Sequence, residues 1–421
     1  MKVYKFGGAS VRSAEGVKNL REIVGRAGGR LFVVVSAMGK TTNALEAVVE
    51  LFTGGDRVGA VEKLAENRAY HAEICTGLFG GQGMPERVTG MFAQVENILR
   101  TGDPATHDYD YWYDAVVSYG ELVSTAIVTE YLAQTSVRTK WIDIRTCFVT
   151  DERHRDANVD MWRSASHLLH ATDDDGADVF VAQGFIGASP DGVTTTLGRE
   201  GSDYSAAVAA NILDAESLTI WKDVPGVMNC DPKVFPDAVH IPELTYLDAV
   251  ELAYGGAQII HPKTIKPLQN KEIPLFVRSF ADPAAAGSAI RREMTGRVEV
   301  PVLILKHEQV LLTVRPDDFS FVLEERLAEV FTLLGAYGLR INLIQSSAVS
   351  LSLCIDNSRR LSEVVVELQA RGFRTAYNTD MQLLTIRGYT PELLEKYAAG
   401  ENIFLTQKTR RTIRIVRRTD V

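Results

Sequence analysis

The sequence predicts an α/β protein in which a layered domain with a mainly parallel sheet, residues 1–297, precedes two smaller α+β units in residues 298–421. Short apolar runs alternate with helical patterns through the first two thirds of the chain, which is typical of helices that cover a parallel sheet. In addition, 28 of the 33 glycines lie in residues 1–298. The composition therefore changes near residue 298, where we expect a domain boundary.

The strands of the first domain are predicted from short apolar runs. Leu31–Val35 is apolar throughout, as expected of a strand that is buried on both faces of a sheet. Val17, Leu20 and Val24 share one face of a helix that follows the first strand. The same spacing predicts a second helix through Leu45, Val48, Val49 and Phe52. The predicted strands are Val3–Phe6, Leu31–Val35, Asp178–Gln183, Ser217–Lys222 and Ile273–Phe280.

The last third of the chain reads as two small α+β units that share a sheet. Five short strands are predicted at Val302–Leu305, Val310–Val314, Ser350–Ile355, Gln382–Ile386 and Thr412–Val416. Two helical faces lie between them, formed by Leu323, Leu327, Val330, Phe331 and Leu334 and by Leu361, Val364, Val365 and Leu368.

Charge and cysteine content exclude several classes of protein. The chain has 45 Lys and Arg against 54 Asp and Glu, a net charge of -9, which argues against a broadly basic nucleic-acid-binding protein. The four cysteines, Cys75, Cys147, Cys230 and Cys354, have no CxxC spacing, so we expect reduced thiols rather than a zinc ribbon. No apolar run approaches the ~20 residues of a membrane helix. A cytoplasmic protein that binds neither nucleic acid nor membrane is expected.

Two familiar motifs are incomplete. Gly39-Lys40-Thr41 resembles the end of a P-loop, but Val34 stands where that motif requires a glycine. His154-Arg155-Asp156 resembles a protein-kinase catalytic loop, but Met161 stands where that loop has an asparagine. Neither segment therefore predicts a nucleotide site in the way those families build one.

Two glycine-containing turns follow predicted strands in the first domain. Lys5–Ser10 combines a lysine with Gly7 and Gly8, which expose backbone N–H groups to a phosphate; a glycine turn with a solvated lysine explains this segment equally well. Val33–Asn43 leaves a buried strand through small and hydroxyl residues, where open α/β sheets bind ligands. The alternative for the second segment is a polar loop that caps the next helix.

Three further segments carry polar groups near predicted strand or helix ends. In Thr194–Ala206, Ser202 and Asp203 open a helix whose N-terminus attracts anions, and Arg199 can grip a carboxylate; a capped helix with a surface arginine is the alternative. Ile220–Lys233 leaves a strand into a loop with acidic, proline and glycine residues. Glu121 lies near the start of an apolar helix, where the helix dipole alone favours an acid.

Taken together and in this order, these segments resemble the aspartate kinase family. The motifs that carry the resemblance are Lys5–Ser10, Ser36–Asn43, Ser118–Ser124, Gln183–Gly187, Thr196–Asp203, Trp221–Val227 and Glu251–Pro262. The tail resembles the paired ACT regulatory domains of that family, which are ferredoxin-like units. The resemblance implies an amino-acid-kinase αβα sandwich that transfers the γ-phosphoryl group of ATP to the side-chain carboxylate of L-aspartate, the first step towards lysine, threonine and methionine.

The resemblance also implies residue roles. Lys5, Arg199 and Asp203 would be catalytic, and aspartate would be held by Ser36, Thr42, Glu121, Arg199 and Ser202. ATP would be held by Lys5, Gly7, Gly8, Lys222, Asp223, Met228, Lys233 and Gln258. Mg²⁺ would arrive on the ATP phosphates rather than at a protein metal site.

The sequence departs from the usual family pattern at several positions. Glu200 replaces a glycine beside Arg199, and because it adds a negative charge near a polyanion site we expect it to point away. The other departures are Ala9, Lys222, Met228, Lys233 and Gln258. The resemblance leaves open two alternatives, namely another enzyme of the same fold and a catalytically inactive amino-acid sensor.

The tail implies regulation by an end-product amino acid. Asp318–Asp356 resembles the effector-binding unit of the family, which implies effector contacts at Asn342, Ser346 and Ser347. It departs at Phe319–Glu325, where a glycine-containing turn is usual. We expect a homodimer through the ACT domains with lysine- or threonine-type feedback.

Overall fold

The computed structural model describes residues 1–135, 137–174, 176–255, 260–294, 300–317, 324–398, 400 and 402–418. These form two compact units. The first holds residues 1–227, 240–250 and 260–294, and the second holds residues 228–239, 251–255 and the tail from residue 300. The predicted domain boundary at residues 297 and 298 lies outside the described residues, so that division stays a prediction.

The chain up to residue 294 contains twelve described strands and ten described α-helices. The strands are β1 Lys2–Phe6, β2 Leu31–Val35, β3 Thr139–Ile142, β4 Val179–Gln183, β5 Ile186–Ala188, β6 Thr194–Thr196, β7 Leu218–Lys222, β8 Val227–Met228, β9 His240–Ile241, β10 Glu243–Thr245, β11 Leu275–Ser279 and β12 Ser288–Arg291. The helices are α1 Ala14–Gly25, α2 Thr41–Thr53, α3 Arg57–Phe79, α4 Glu86–Thr101, α5 Tyr109–Val117, α6 Tyr119–Ala133, α7 Met161–Thr172, α8 Gly201–Ile212, α9 Tyr246–Gly255 and α10 Pro262–Asn270.

Eight of these strands form the main sheet of the first unit, in the order β10-β12-β11-β7-β1-β2-β4-β3. Every neighbouring pair is parallel except β11 with β12. All positions of β2 and β4 are buried, so both faces of the sheet are covered there, as the apolar run Leu31–Val35 predicted. The mainly parallel α/β fold is confirmed, and each predicted strand of this region is present within two residues at its ends.

The second unit is built on a six-stranded antiparallel sheet in the order β14-β15-β13-β16-β18-β17. Its elements are β13 Val302–Pro316, α11 Glu324–Ala336, β14 Ile341–Ser346, β15 Leu351–Asp356, α12 Leu361–Ala370, β16 Phe373–Arg387, α13 Pro391–Tyr397, β17 Ile403–Lys408 and β18 Thr412–Arg418. One buried cluster joins α11 and α12 to β13 and β15. A second joins α13 to the other half of the sheet. Two α+β units sharing one sheet are therefore confirmed.

The first two predicted tail strands are in fact one. β13 runs without a loop from Val302 to Pro316 and pairs with β16 along its length, with register shifts between Lys306 and Leu311. The polar residues in the middle of β13 form an irregularity in the ladder, where Glu308 has a left-handed φ of 53°. A bulge of this kind absorbs the extra residue and bends the strand, so polarity here marks a bend and not a turn.

Two segments that precede the tail belong to the second unit. In residues 228–239, the Asn229 amide donates to the Pro301 carbonyl over 2.9 Å. Phe235 is buried, with its ring 5.9 Å from that of Tyr397.

No helix in the described part of the chain is long and apolar enough to cross a membrane.

A buried histidine joins α2 to α3 in the first unit. His71 is fully buried, and its Nδ1 lies 2.8 Å from the Asn67 carbonyl oxygen. Its Nε2 lies 3.4 Å from the Thr41 hydroxyl at the start of α2. Burial lowers the pKa of His71 from 6.5 to about 4, because the charged ring would lose its hydration. The native protein therefore holds this ring neutral.

We predict that His71 makes the protein less stable as pH falls from 6.5 towards 4. The unfolded ring takes up a proton near pH 6.5 and the native ring does not, so the free energy of unfolding should drop by about 2 kcal/mol between pH 7 and pH 5. Urea denaturation of wild type and His71→Gln at both pH values gives the fall in free energy of unfolding for each protein. The difference between the two falls is the contribution of His71. His167→Gln, which changes an exposed histidine, is the control. Equal drops in wild type and His71→Gln would contradict the prediction.

Candidate active site

A cavity of about 480 Å³ lies at the carboxyl ends of the central parallel strands of the first unit. Lys5 reaches it from β1, Ser36 from the loop after β2, and Lys222 from the end of β7. This is the edge at which open α/β sheets bind ligands. The lining residues are Lys5, Gly8, Ser36, Ala37, Gly39, Thr42, Tyr113, Glu121, Arg155, Phe185, Gly198, Arg199, Glu200, Gly201, Ser202, Asp203 and Lys222.

A buried carboxylate between two lysines is part of the lining. Asp203 lies in the first turn of α8, and its Oδ1 is 2.6 Å from the Lys5 Nζ. The Lys222 Nζ is 3.5 Å from Oδ2 of the same carboxylate. Burial opposes ionisation of Asp203, but the two lysines hold its pKa below the usual range. Three charges with a net of +1 therefore face the cavity where a helix begins, which is an arrangement suited to an anion.

Gly8 lets the loops after β1 and β2 touch. Its carbonyl oxygen accepts a hydrogen bond from the Gly39 N–H over 3.0 Å. A Cβ at Gly8 would lie 2.5 Å from the Ala37 carbonyl oxygen, which is closer than atoms of two loops can pack. A Cβ at Gly7 would meet only the Lys5 Nζ, at 3.5 Å. Of the two adjacent glycines, Gly8 is thus the one that the backbone requires.

Glu121 is a buried acid of the lining that makes no ion pair within hydrogen-bond distance among the described residues. It lies in the first turn of α6 and is 2% exposed. Oε1 accepts from the Ala37 N–H over 3.2 Å, and Oε2 has no hydrogen-bond partner among the described residues. Burial raises the pKa of Glu121 to about 8. The side chain is therefore mostly protonated at neutral pH, and it would ionise if a cation came against it.

Hydrogen bonds between side chains of α6 and the backbone of the loop after β2 hold that loop beside Glu121. Ser124, one turn along α6, donates from its hydroxyl to the Ser36 carbonyl over 2.7 Å. This bond ties α6 to the loop that presents Ser36 and leads into α2, where Thr42 lines the cavity. Two hydroxyl groups and one carboxyl group are thus placed on the same cavity by three elements.

The family is decided by comparison of sequences. The model of the amino acid kinase family matches residues 1–279. The lysine-sensitive aspartokinase 3 of Escherichia coli is 34% identical over 362 residues, which cover 85% of this chain and 78% of that protein. The chain belongs to the aspartokinases of the amino acid kinase family.

Solved aspartokinase structures share the fold over nearly the whole chain. E. coli aspartokinase III in complex with aspartate and ADP, in its R-state, has a TM-score of 0.83 and 30% identity, and covers 99% of this chain and 96% of that one. The same enzyme in complex with lysine and aspartate, in its T-state, has a TM-score of 0.78 and 29% identity, and covers 99% and 95%. The match therefore includes the tail as well as the amino acid kinase region.

Most of the residues predicted for an aspartokinase site line the one cavity. These are Lys5, Gly8, Ser36, Thr42, Glu121, Arg199, Ser202, Asp203 and Lys222. The lining does not include Gly7, Asp223, Met228 or Lys233, and Gln258 lies outside the described residues. Asp223 and Lys233 are exposed. The roles given to all of these residues, within the lining or outside it, stay predictions.

Glu200 was expected to point away from the site of this aspartokinase but lines the cavity. It caps α8 with a left-handed φ of 55°, and its Oε2 is buried without a hydrogen-bond partner among the described residues. The positive end of α8 explains how a carboxylate is tolerated at this position.

Sequence reasoning missed Tyr113 and Arg155, which also line the cavity. Arg155 belonged to the segment set aside as an incomplete protein-kinase loop. Tyr113 lies on α5, eight residues before Glu121, in a stretch that reads as an ordinary amphipathic helix. No local signal marks either residue, because the folding of α5 against the loop after β3 is what brings both to the cavity.

The residues predicted to bind an effector lie on and beside β14 in the second unit. Asn342 is buried, and its amide nitrogen donates to Gln309 over 2.7 Å and to Asp356 over 2.6 Å. Its carbonyl oxygen accepts from the Lys306 Nζ over 2.8 Å. Ser346 and Ser347 are exposed. The side chain of Asn342 is thus already engaged within the sheet, whereas the two serines face solvent.

Proposed function

We propose that this protein is an aspartate kinase, which transfers the γ-phosphoryl group of ATP to the side-chain carboxylate of L-aspartate and yields 4-phospho-L-aspartate. The observation that carries the proposal is the cavity that joins the Lys5–Asp203–Lys222 cluster to Glu121. The relatives named aspartokinase support it, as does the E. coli complex with aspartate and ADP. All four cysteines are free and buried, which suits an enzyme of the reducing cytoplasm.

The chemistry asks for positioning and charge stabilisation. A side-chain carboxylate of aspartate is already ionised near neutral pH, so the nucleophile needs no general base. Lys5 and Lys222 would stabilise the negative charge on the transferring phosphoryl group, while Asp203 keeps both ammonium groups in place. Gly7 and Gly8 would bring backbone N–H groups to the phosphates, and Ser202 would do so at the start of α8.

The substrate would be oriented by other groups of the lining. Glu121 would accept the ammonium group of aspartate, and Arg199 would clamp a carboxylate. Ser36 and Thr42 would donate hydroxyl hydrogen bonds. The nucleotide would extend towards Asp223, Met228, Lys233 and Gln258, as the family resemblance implies.

Mg²⁺ is expected to accompany ATP. The described residues include no group of three or more His, Cys, Asp or Glu side chains placed to hold a metal ion, and Asp203 is already paired with two lysines. The donor set therefore suits an ion carried by the phosphates, whose charge it would partly neutralise.

An ATP-dependent hydroxamate assay with L-aspartate, L-glutamate or no amino acid tests the activity. We expect product with aspartate, and turnover lowered at least a hundredfold in Lys5→Ala, because one electrostatic contact of this kind contributes roughly 3 kcal/mol to the barrier. Lys2→Ala is the control, since Lys2 lies on the same strand and donates to the Ala27 carbonyl outside the cavity. A faster rate with glutamate would indicate another enzyme of this fold, and no turnover would indicate an inactive sensor.

Aspartate binding should release a proton from Glu121. At pH 7 this carboxyl is mostly protonated, because its pKa is about 8, and it must ionise to pair with an ammonium group. Titration calorimetry at pH 7 in two buffers of different ionisation enthalpy should show close to one proton released, with the release lost above about pH 9. Glu121→Gln should bind aspartate more weakly and release none. Equal enthalpies for the wild type in both buffers would contradict the assignment.

We further infer a homodimer, joined through the tail, that an end-product amino acid inhibits. The lysine complex of the E. coli enzyme supports the binding of an end-product amino acid, and exposed Ser346 and Ser347 remain the effector contacts of the proposal. Initial rates with lysine, threonine and methionine, alone and in pairs, should fall with lysine or threonine, and light scattering should give twice the chain mass. Unchanged rates with every amino acid would reject the feedback proposal, and a monomer would reject the dimer.

A further inference from the structure

Arg155 is a cation in the cavity wall that the proposed function does not yet use. Its Nη2 donates to Glu46 over 3.2 Å, and its Nη1 donates to Asp110 over 3.3 Å. The guanidinium carbon lies 4.2 Å from the centre of the Tyr113 ring, within the range of a cation–π contact. The Arg155 side chain is still 39% exposed. The group is therefore fixed by α2 and α5 and yet open to a ligand.

The backbone at Arg155 is held in a conformation that arginine rarely adopts. Its φ is 63°, in the left-handed region, where a side chain other than glycine is strained. The Arg155 N–H donates to Asp114 over 3.2 Å. Asp114 is fully buried and also accepts from Thr196 and from the ring of His154. A strained residue held by buried contacts at a cavity is a candidate for function.

The contacts of Arg155 place it beside residues that the proposed function assigns to the amino acid. Glu46 is one helical turn after Thr42 on α2, so both lie on the same face of that helix. The carbonyl oxygen of Arg155 lies 3.1 Å from where a Cβ of Gly198 would stand. Gly198 immediately precedes Arg199, so the loops that carry the two arginines touch. Lys5 and Lys222 belong to the other set of charges, around Asp203.

The chemistry of the substrate calls for further N–H donors beside Arg199. Arg155 can supply them, although Glu46 and Asp110 offset its charge. L-aspartate carries two carboxylates, and the one that attacks phosphorus must face Lys5. The other, the α-carboxylate, is left with Arg199, which is exposed and on a loop. A guanidinium has five N–H donors, and Glu46 and Asp110 engage two of those of Arg155. The remaining donors can bind a carboxylate oxygen.

We propose that Arg155 is a specificity-determining residue, an inference that rests on the proposed function. Arg155 binds the α-carboxylate of the substrate together with Arg199, and it sets the length of amino acid that the cavity accepts. Because α2 and α5 fix the guanidinium, it cannot retreat to admit one more methylene. Glutamate held by the same contacts would therefore carry its reacting carboxylate past the position that aspartate reaches.

The test compares steady-state kinetics of wild type and Arg155→Gly with aspartate and with glutamate. Glycine suits the left-handed backbone, so this variant removes the guanidinium without adding strain. We expect the KM for aspartate to rise at least tenfold, with kcat and the KM for ATP within threefold of wild type. The preference for aspartate over glutamate in kcat/KM should fall at least tenfold. Arg153→Gly, which removes the same charge from an exposed neighbour outside the lining, should match wild type.

Arg155→Lys covers the case in which Arg155→Gly does not fold. It keeps a cation between Glu46 and Asp110 but loses the planar fork, so an intermediate KM for aspartate is expected. A folded Arg155→Gly or Arg155→Lys with wild-type KM and wild-type preference would overturn the proposal and leave Arg155 a structural ion pair. A wild-type protein that does not phosphorylate aspartate would instead overturn the proposed function, which the same assay detects first.

Discussion

The site is organised around the ion pair of Lys5 with Asp203, which Lys222 completes. Removing one carboxylate and two ammonium groups from water is costly, and in buried ion pairs this cost can exceed the gain from mutual attraction. The cluster has a net charge of +1, so a bound anion would supply the negative charge that balances it. The protein has therefore arranged its charges before the ligand arrives, and no reorganisation is needed when phosphoryl charge develops.

The parallel sheet is what makes this cluster possible. β1 lies beside β7 in parallel register, with Phe6 opposite Trp221, so the carboxyl ends that carry Lys5 and Lys222 are neighbours. Helix α8 packs on β1, β2 and β7 and presents Asp203 from its first turn. Close packing fixes that helix start, since a Cβ at Gly184 would lie 2.5 Å from the Ser202 Cβ. The packing of β1, β7 and α8 therefore also positions Lys5, Lys222 and Asp203.

The sequence could predict the parts of the site that strand ends and helix starts define. Lys5 lies near the carboxyl end of β1, Ser36 directly after β2 and Asp203 in the first turn of α8, and the rule that ligands bind at the carboxyl ends of parallel strands brings them together. The pairing of Asp203 with both lysines needed the register of β1 with β7, which no local pattern specifies. The fold class was predictable for the same reason, because apolar periodicity is local.

The features that escaped prediction depend on contacts between distant residues. The polar residues in the middle of β13 lie at a bulge in its pairing with β16. In the sequence of β13 alone, the same polar residues resemble a turn between two strands. Arg155 reaches the cavity because Asp114, 41 positions earlier, accepts its N–H and holds a left-handed backbone that sequence reasoning does not expect of arginine.

The two buried carboxylates of the cavity show how position decides chemistry. Asp203 has its pKa lowered by the neighbouring lysines although burial opposes this, whereas at Glu121 burial outweighs the charge of Lys5 and raises the pKa to about 8. The first stays charged and holds two lysines that would bind an anionic phosphate, and the second would gain its charge when the ammonium group of a substrate arrives. The α-ammonium group of aspartate would pair with Glu121, which would leave the side-chain carboxylate to face the phosphoryl group held by Lys5 and Lys222. The difference in charge between Asp203 and Glu121 therefore favours that direction of binding.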